Sequence, residues 1–159
     1  MPTPTYTALA TVTLASTATS ITFSSIPATY RDLVLVTNGK ATATASLRIR
    51  VNSDTGNNYF WVRMIGEAAG AFSDSSSPAN FLDGGNPSTT EGYMSITQFM
   101  DYSATDKHKT TLHRISFPNN THVLANGGRW LNTAAITSIQ VYNPTFAVGF
   151  TAALYGIVS

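Results

Sequence analysis

Cysteine is absent from this 159-residue chain, which excludes disulfide bonds, thiolate metal sites and cysteine nucleophiles. Charged residues are scarce as well: they make up 11% of the sequence, against about 25% in a typical soluble domain. The basic side chains are scattered and the formal net charge is +1, which argues against nucleic acid as a partner. The N-terminus lacks the features of a signal peptide, and no apolar run approaches the roughly 18 residues of a membrane span. We therefore expect a protein made in the cytoplasm whose partner is neither nucleic acid nor a membrane.

Sustained helical periodicity is also missing. Apolar residues instead alternate with polar ones in short segments separated by Gly, Pro, Asn and Asp, which is the pattern of half-buried β-strands. Ten segments stand out, at residues 6–14, 21–23, 33–36, 47–51, 59–65, 93–99, 111–117, 122–125, 136–142 and 150–155. Residues 33–36 are apolar on both faces, as expected of a central strand. The sequence predicts one domain over residues 1–159, an all-β, antiparallel, jelly-roll-like sandwich with about ten strands and little or no helix.

The segment Asn52–Asn58 is a turn by composition, because Asn, Asp and Gly tolerate a positive φ angle. Between the strands 47–51 and 59–65 it predicts a hairpin. Its oxygen-bearing side chains also make a Ca²⁺ site conceivable. However, Asp54 is the single carboxylate in the segment, so side chains that hydrogen-bond to their own turn are the favoured interpretation, and no metal site is predicted.

Two segments are candidates for contact with other proteins. Residues 68–90 are rich in Gly, Ser and Pro and are predicted to form a long surface loop, and residues 1–5 are predicted to form a flexible N-terminal arm. Long loops and polar termini readily order on a neighbouring protein. The candidate interaction residues within them are Pro2, Pro4, Phe72, Phe81 and Leu82.

No catalytic residue and no cofactor is predicted. The three histidines and many hydroxyls of the chain are not framed by a nucleophile motif such as Gly-x-Ser-x-Gly. The eight acidic residues are mostly explained as turn residues, which leaves a glycan-cleaving enzyme as a weak alternative. Tryptophan and tyrosine side chains such as Trp61, Trp130, Tyr102, Tyr142 and Tyr155 can stack on sugars, although core packing is the favoured role for them.

Several stretches, in this order, resemble small β-sandwich virion proteins of tailed bacteriophages. The resemblance rests on residues 21–27 (ITFSSIP) followed by Tyr30 and Leu33, on residues 48–59 (RIRVNSDTGNNY), on residues 99–102 (FMDY) with 107–110 (KHKT), on Trp130 with residues 135–139 (AITSI), and on residues 154–157 (LYGI). It spans about residues 6–157. Proteins of this kind occur as capsid decoration (cement) proteins and as domains of tail appendages. No catalytic residue comes with the resemblance.

The resemblance implies a structural, non-enzymatic protein on the capsid surface of the virion. We expect a homotrimer that binds the major capsid protein and stabilises the assembled head by bridging capsomers. The alternative that the resemblance leaves open is a tail or tail-fibre tip module that binds host surface glycans through exposed Trp and Tyr side chains.

Overall fold

A computed structural model describes residues 5–67, 69–116 and 122–158. This part of the chain contains β-strands and no helix, and therefore no helix that could cross a membrane. The strands are β1 (Tyr6–Thr13), β2 (Ala18–Phe23), β3 (Asp32–Gly39), β4 (Arg48–Val51), β5 (Tyr59–Glu67), β6 (Gly70–Ser75), β7 (Leu82–Asp83), β8 (Tyr93–Met100), β9 (Lys109–Ser116), β10 (Val123–Trp130), β11 (Ile139–Phe146) and β12 (Thr151–Ile157).

The strands form two antiparallel sheets. The large sheet has eight strands in the order β1-β12-β3-β8-β9-β10-β5-β6, and the small sheet has four in the order β2-β11-β4-β7. The chain passes repeatedly from one sheet to the other, so that neighbours within a sheet are often distant in sequence. The prediction of an all-β antiparallel sandwich is confirmed.

The core lies between the sheets and is made of aliphatic and aromatic side chains from both. Leu33, Leu35 and Leu154 come from the large sheet, while Ile49 and Val141 come from the small one. All five are at most 1% exposed. Burial of a side chain of this size contributes about 1.5–3 kcal/mol, which makes this cluster the main source of stability.

All ten predicted strand segments contain a strand, but the structure has twelve strands in its described residues. The two extra ones, β6 and β7, lie inside the predicted 68–90 loop. That prediction of an irregular excursion is therefore wrong in part: β6 pairs with β5 at the edge of the large sheet, and β7 pairs with β4 in the small sheet. Neither strand contains the β-branched residues that mark most strands: β6 is GAFSDS, and β7 is only two residues long.

The predicted hairpin at Asn52–Asn58 is also wrong. Strands β4 and β5 flank this turn as expected, yet β4 belongs to the small sheet and β5 to the large one. The segment is therefore a connection between the two sheets. Asn52 and Ser53 have φ angles of 50° and 55°, which confirms the positive φ expected of this turn.

Candidate functional site

The inner face of the large sheet, which is the face toward the small sheet, carries an unusual number of polar side chains. Strand β9 turns Thr111 and His113 inward, and both are buried. The His113 ring is hydrogen-bonded on both sides: Nδ1 lies 3.1 Å from Thr97 Oγ1 and Nε2 lies 2.9 Å from Thr111 Oγ1. Burial lowers the pKa of His113 to about 3, so the ring is neutral at neutral pH. These groups are enclosed by the sandwich, where no substrate reaches them.

A second buried polar group attaches the short strand β7 to the large sheet. The Asp83 carboxylate accepts hydrogen bonds from Arg63 Nη1 at 3.3 Å and from the Gly85 amide at 3.1 Å. Asn126 Nδ2 donates to the Asp83 carbonyl at 3.1 Å. Burial raises the pKa of Asp83, while the charge of Arg63 and the hydrogen bonds act in the opposite direction. The arrangement fixes β7 in place, which is a structural role.

The turn Asn52–Asn58 was considered above as a Ca²⁺ site, but its side-chain oxygen atoms accept hydrogen bonds from other groups of the protein. The Asp54 carboxylate accepts hydrogen bonds from the Gly56 amide, from Asn58 Nδ2 and, at 2.7 Å, from Trp130 Nε1. Burial by itself would raise the pKa of Asp54, but these hydrogen bonds lower it below its ordinary value. Asn52 Oδ1 accepts from the amides of residues 137 and 138. Among the described residues no group of His, Asp and Glu is arranged to hold a metal ion.

The outer face of the large sheet, defined as the side chains of its strands that point away from the small sheet, carries many apolar side chains. One row of register partners runs across six neighbouring strands. It consists of Ala153, Val36, Ile96, Arg114, Ala125 and Met64. A parallel row consists of Tyr155, Val34, Gln98, Leu112, Gly127 and Val62. Apart from Arg114, Gln98 and Gly127, the residues of these two rows are apolar or aromatic, so an apolar strip runs along the middle of the face.

Several large apolar side chains on this face are open to solvent. Val123 is 74% exposed, Met64 is 65% exposed and Leu112 is 46% exposed. Two shallow depressions of about 340 and 450 Å³ share Ile96 and Arg114 as lining residues, so they adjoin near the middle of the face. Exposed single apolar residues are common, but a contiguous exposed apolar face marks a surface that binds another molecule.

The outer face has little charge of its own. Arg114 lies in its central region and Arg129 pairs with Phe60 across β10 and β5. Asp32, at the margin, is the acidic side chain of this face within the described residues, and it is already bonded by Arg31 and Gln98. The face therefore presents a cation in apolar surroundings without an acid beside it.

The predicted interaction residues lie elsewhere. Pro2 and Pro4 are outside the described residues. Phe72 is 49% exposed on the edge strand β6 and remains a candidate, whereas Phe81 is half-buried beneath Arg48. Leu82 is completely buried, since it faces the core beside its register partner Ile49. The expectation that Leu82 contacts a partner is therefore wrong.

Tryptophan and tyrosine do not form a sugar-stacking surface of the kind that was considered as an alternative. Trp130 is 2% exposed and Tyr102 is fully buried, in agreement with the core role favoured from the sequence. Trp61, Tyr142 and Tyr155 are half-buried and lie on different parts of the sandwich. A partial signal for the outer face was present in the sequence, since the second set of alternating positions in residues 93–99 includes Met94 and Ile96, and that in residues 111–116 includes Leu112.

Comparisons with known proteins leave the function open. No family model matches the chain, and no curated protein matches it. Among solved structures it is similar to the Caenorhabditis elegans galectin LEC-6, at 8% identity over 94% of this chain and 96% of that one, with a TM-score of 0.39. It is also similar to the alginate lyase Aly36B, at 11% identity over 92% of this chain and 77% of that one, with a TM-score of 0.36. These values are too low to carry an argument about function.

Proposed function

We propose that this protein is a structural protein of a tailed-phage virion, a capsid decoration protein that docks on the major capsid protein through the outer face of the large sheet. The observation that carries the proposal is the exposed apolar surface of that face. Apolar side chains such as Val123 and Met64 do not stabilise a monomer while they are exposed to water. They stabilise a complex when a capsid lattice covers them.

The size of the face fits a protein interface. Eight strands at a spacing of about 4.8 Å span about 34 Å, and strands of this length extend about 20 Å, which gives an area of about 700 Å². A stable interface of standard size buries about 800 Å² on each partner. The outer face thus has the extent that a lasting contact needs.

The charge on the face supports a partner other than a second copy of this chain. Arg114 lies in the central region of the face, so two copies packed face to face around that region would bring like charges together with no carboxylate between them. A capsid surface that is apolar and carries one acidic side chain opposite Arg114 would match it. The predicted homotrimer would then form through other surfaces, and the exposed edge strand β6 with Phe72 offers unpaired backbone groups for such a contact.

The proposed mechanism is mass action. A protein that binds only the assembled, expanded lattice lowers the free energy of that state and so stabilises the head. The chain needs no chemistry for this role, and the buried polar groups of the sandwich serve to hold its own strands together.

The proposal is tested by the copy number of this chain in purified particles, measured by quantitative mass spectrometry against the major capsid protein. A ratio near parity supports capsid decoration. A few copies per particle would contradict it and would move the protein to the tail, where host binding becomes the alternative function.

A pair of variants tests the assigned surface directly. Replacing Met64 and Val123 by Gln and Thr makes the outer face polar, and we expect at least about 10-fold weaker binding to heads that lack this protein. The matched control is Val148→Thr, because Val148 is 64% exposed but lies in the turn between β11 and β12, away from the outer face. Equal binding by both variants would show that the contact lies elsewhere.

A further inference from the structure

The outer face of the small sheet, which is the opposite surface of the sandwich, carries a pair of arginines. Arg48 and Arg50 are two residues apart on β4, so both side chains point away from the core while Ile49 and Val51 point into it. Residues at this spacing on a strand are about 6.7 Å apart. Both side chains are half-buried, so their positions are defined by neighbours rather than by solvent.

Each guanidinium group is held by an aromatic ring. The Cζ atom of Arg48 lies 4.3 Å from the ring centroid of Phe81, and that of Arg50 lies 4.3 Å from the ring centroid of Tyr142. Arg50 Nη2 also donates a hydrogen bond of 2.7 Å to the Tyr142 hydroxyl. Stacking of this kind orders an arginine while leaving most of its N–H groups free, and it reduces the entropy that is lost when an anion binds.

Neither arginine forms a salt bridge with a carboxylate among the described residues. The acid opposite Arg48 in the register is Asp83, but its carboxylate is directed to Arg63 and to the Gly85 amide. The charges of Asp54 and Arg50 interact, but the Asp54 carboxylate accepts its hydrogen bonds from its own turn and from Trp130. Neither acid is therefore paired directly with Arg48 or Arg50, although the negative charge of Asp54 still acts on Arg50.

The surroundings of the pair are neutral and rich in hydrogen-bonding groups. Ser20 and Thr22 on β2 and Gln140 on β11 lie on the same face, in register with Tyr142 and Arg50. Hydroxyl and amide groups of this kind suit sugar hydroxyls, and a guanidinium binds a carboxylate through two parallel hydrogen bonds. A surface with many neutral polar groups and two ordered cations favours a carbohydrate as the ligand. A surface that binds an acidic peptide is expected to carry more cations.

We propose that Arg48 and Arg50 form a binding site for an acidic glycan, a polysaccharide with uronic-acid carboxylates. If the large sheet docks on the capsid, this site faces away from the particle, where surface or environmental polysaccharides are met; that orientation rests on the proposed function, whereas the binding does not. The site thereby gives a decoration protein a means of attaching particles to acidic polysaccharide.

The test is isothermal titration calorimetry of the purified chain at low ionic strength with four probes. These are polygalacturonate fragments, dextran as a neutral glycan, poly-glutamate as an acidic peptide and sodium sulfate as a simple anion. Arg48→Gln and Arg50→Gln are the test variants. Arg129→Gln is the control, because Arg129 is an exposed arginine that also lies beside an aromatic ring, 5.1 Å from that of Phe60, but on the opposite surface. Thermal unfolding of each variant verifies that it is folded.

We expect polygalacturonate to bind and dextran not to bind. Each test variant should weaken binding by about 10-fold or more, which is the loss expected for a charge-assisted hydrogen-bonded contact, while Arg129→Gln leaves it unchanged. Three results would overturn the proposal: no binding of polygalacturonate, equal binding by the test variants, or binding of poly-glutamate or sulfate as tight as that of the polysaccharide. Because the purified chain is used, the outcome is independent of whether the protein is found on capsids.

Discussion

The two faces of the large sheet depart from the usual pattern on two neighbouring strands. On β9 and β10 the inward positions include the buried polar residues Thr111, His113 and Asn126. The outward positions of the same strands include Leu112 and Val123, which are exposed. On these strands several polar side chains are thus enclosed among the core residues, while some apolar ones are left in water.

The difference shows which face is complete within the monomer. The inner face is covered by the small sheet, and both ring nitrogens of His113 and the Asn126 amide nitrogen have partners inside the sandwich, although Asn126 Oδ1 has none. Within the part of the chain that the structure describes, no layer covers the outer face. A sheet that folds with hydrogen-bonded polar groups inside retains its apolar outer surface for another protein, and this is the physical basis of the proposed docking role.

The largest expected effect comes from comparing neighbours on β10. Leu124 is 1% exposed on the inner face, and Leu124→Ala should lower the free energy of unfolding by about 2–5 kcal/mol through lost burial and a cavity. Val123 is 74% exposed on the outer face, and Val123→Ala should change the free energy of unfolding by less than about 0.5 kcal/mol. Urea unfolding of both variants makes the measurement. Similar losses at both positions would mean that the outer face is already covered in the monomer.

A smaller effect is expected from acid. The pKa of His113 is about 3 in the folded chain, against an ordinary value of 6.5, so between these pH values the unfolded chain takes up a proton that the folded chain does not. Stability should therefore decrease as the pH falls below 6.5, by up to about 1.4 kcal/mol per pH unit from this group. Urea unfolding at several pH values between 7 and 4.5 measures the slope.

Two variants test whether His113 causes this dependence of stability on pH. His113→Asn removes the titrating ring and should flatten the dependence, at the cost of a lower stability at every pH. His108→Gln is the control, since it replaces an exposed histidine in the turn before β9 and leaves the buried ring in place. A slope of equal steepness in the His113 variant would refute the assignment to the buried ring.

The sequence was sufficient to predict the sandwich but not the role of each face. Alternation in residues 109–116 divides β9 into two sets of side chains, one with Leu112 and the other with Lys109 and His113. Hydropathy alone does not show which of the two sets faces the core. The structure places Lys109 inside, where its Nζ donates to the carbonyls of residues 107 and 133. Hydrogen bonds to distant segments decide the orientation, and periodicity contains no information about them.

The connections were harder to predict than the strands. The composition of Asn52–Asn58 indicates a turn whether it joins neighbours in one sheet or crosses between sheets. Its destination depends on Trp130, about seventy residues away, whose Nε1 donates to Asp54. The Arg48 and Arg50 site was likewise invisible as a unit, because Phe81 and Tyr142 are brought to it only by the pairing of β4 with β7 and β11.

The most direct test of the account is methionine oxidation on intact particles. Met64 and Met94 both lie on the outer face and are 65% and 41% exposed, so peroxide should oxidise both rapidly in the purified chain. The account predicts that both are protected, by about 10-fold or more in rate, when the protein is on the capsid. Oxidation at the same rate on the particle as in free solution would show that the outer face stays uncovered and would contradict the docking role.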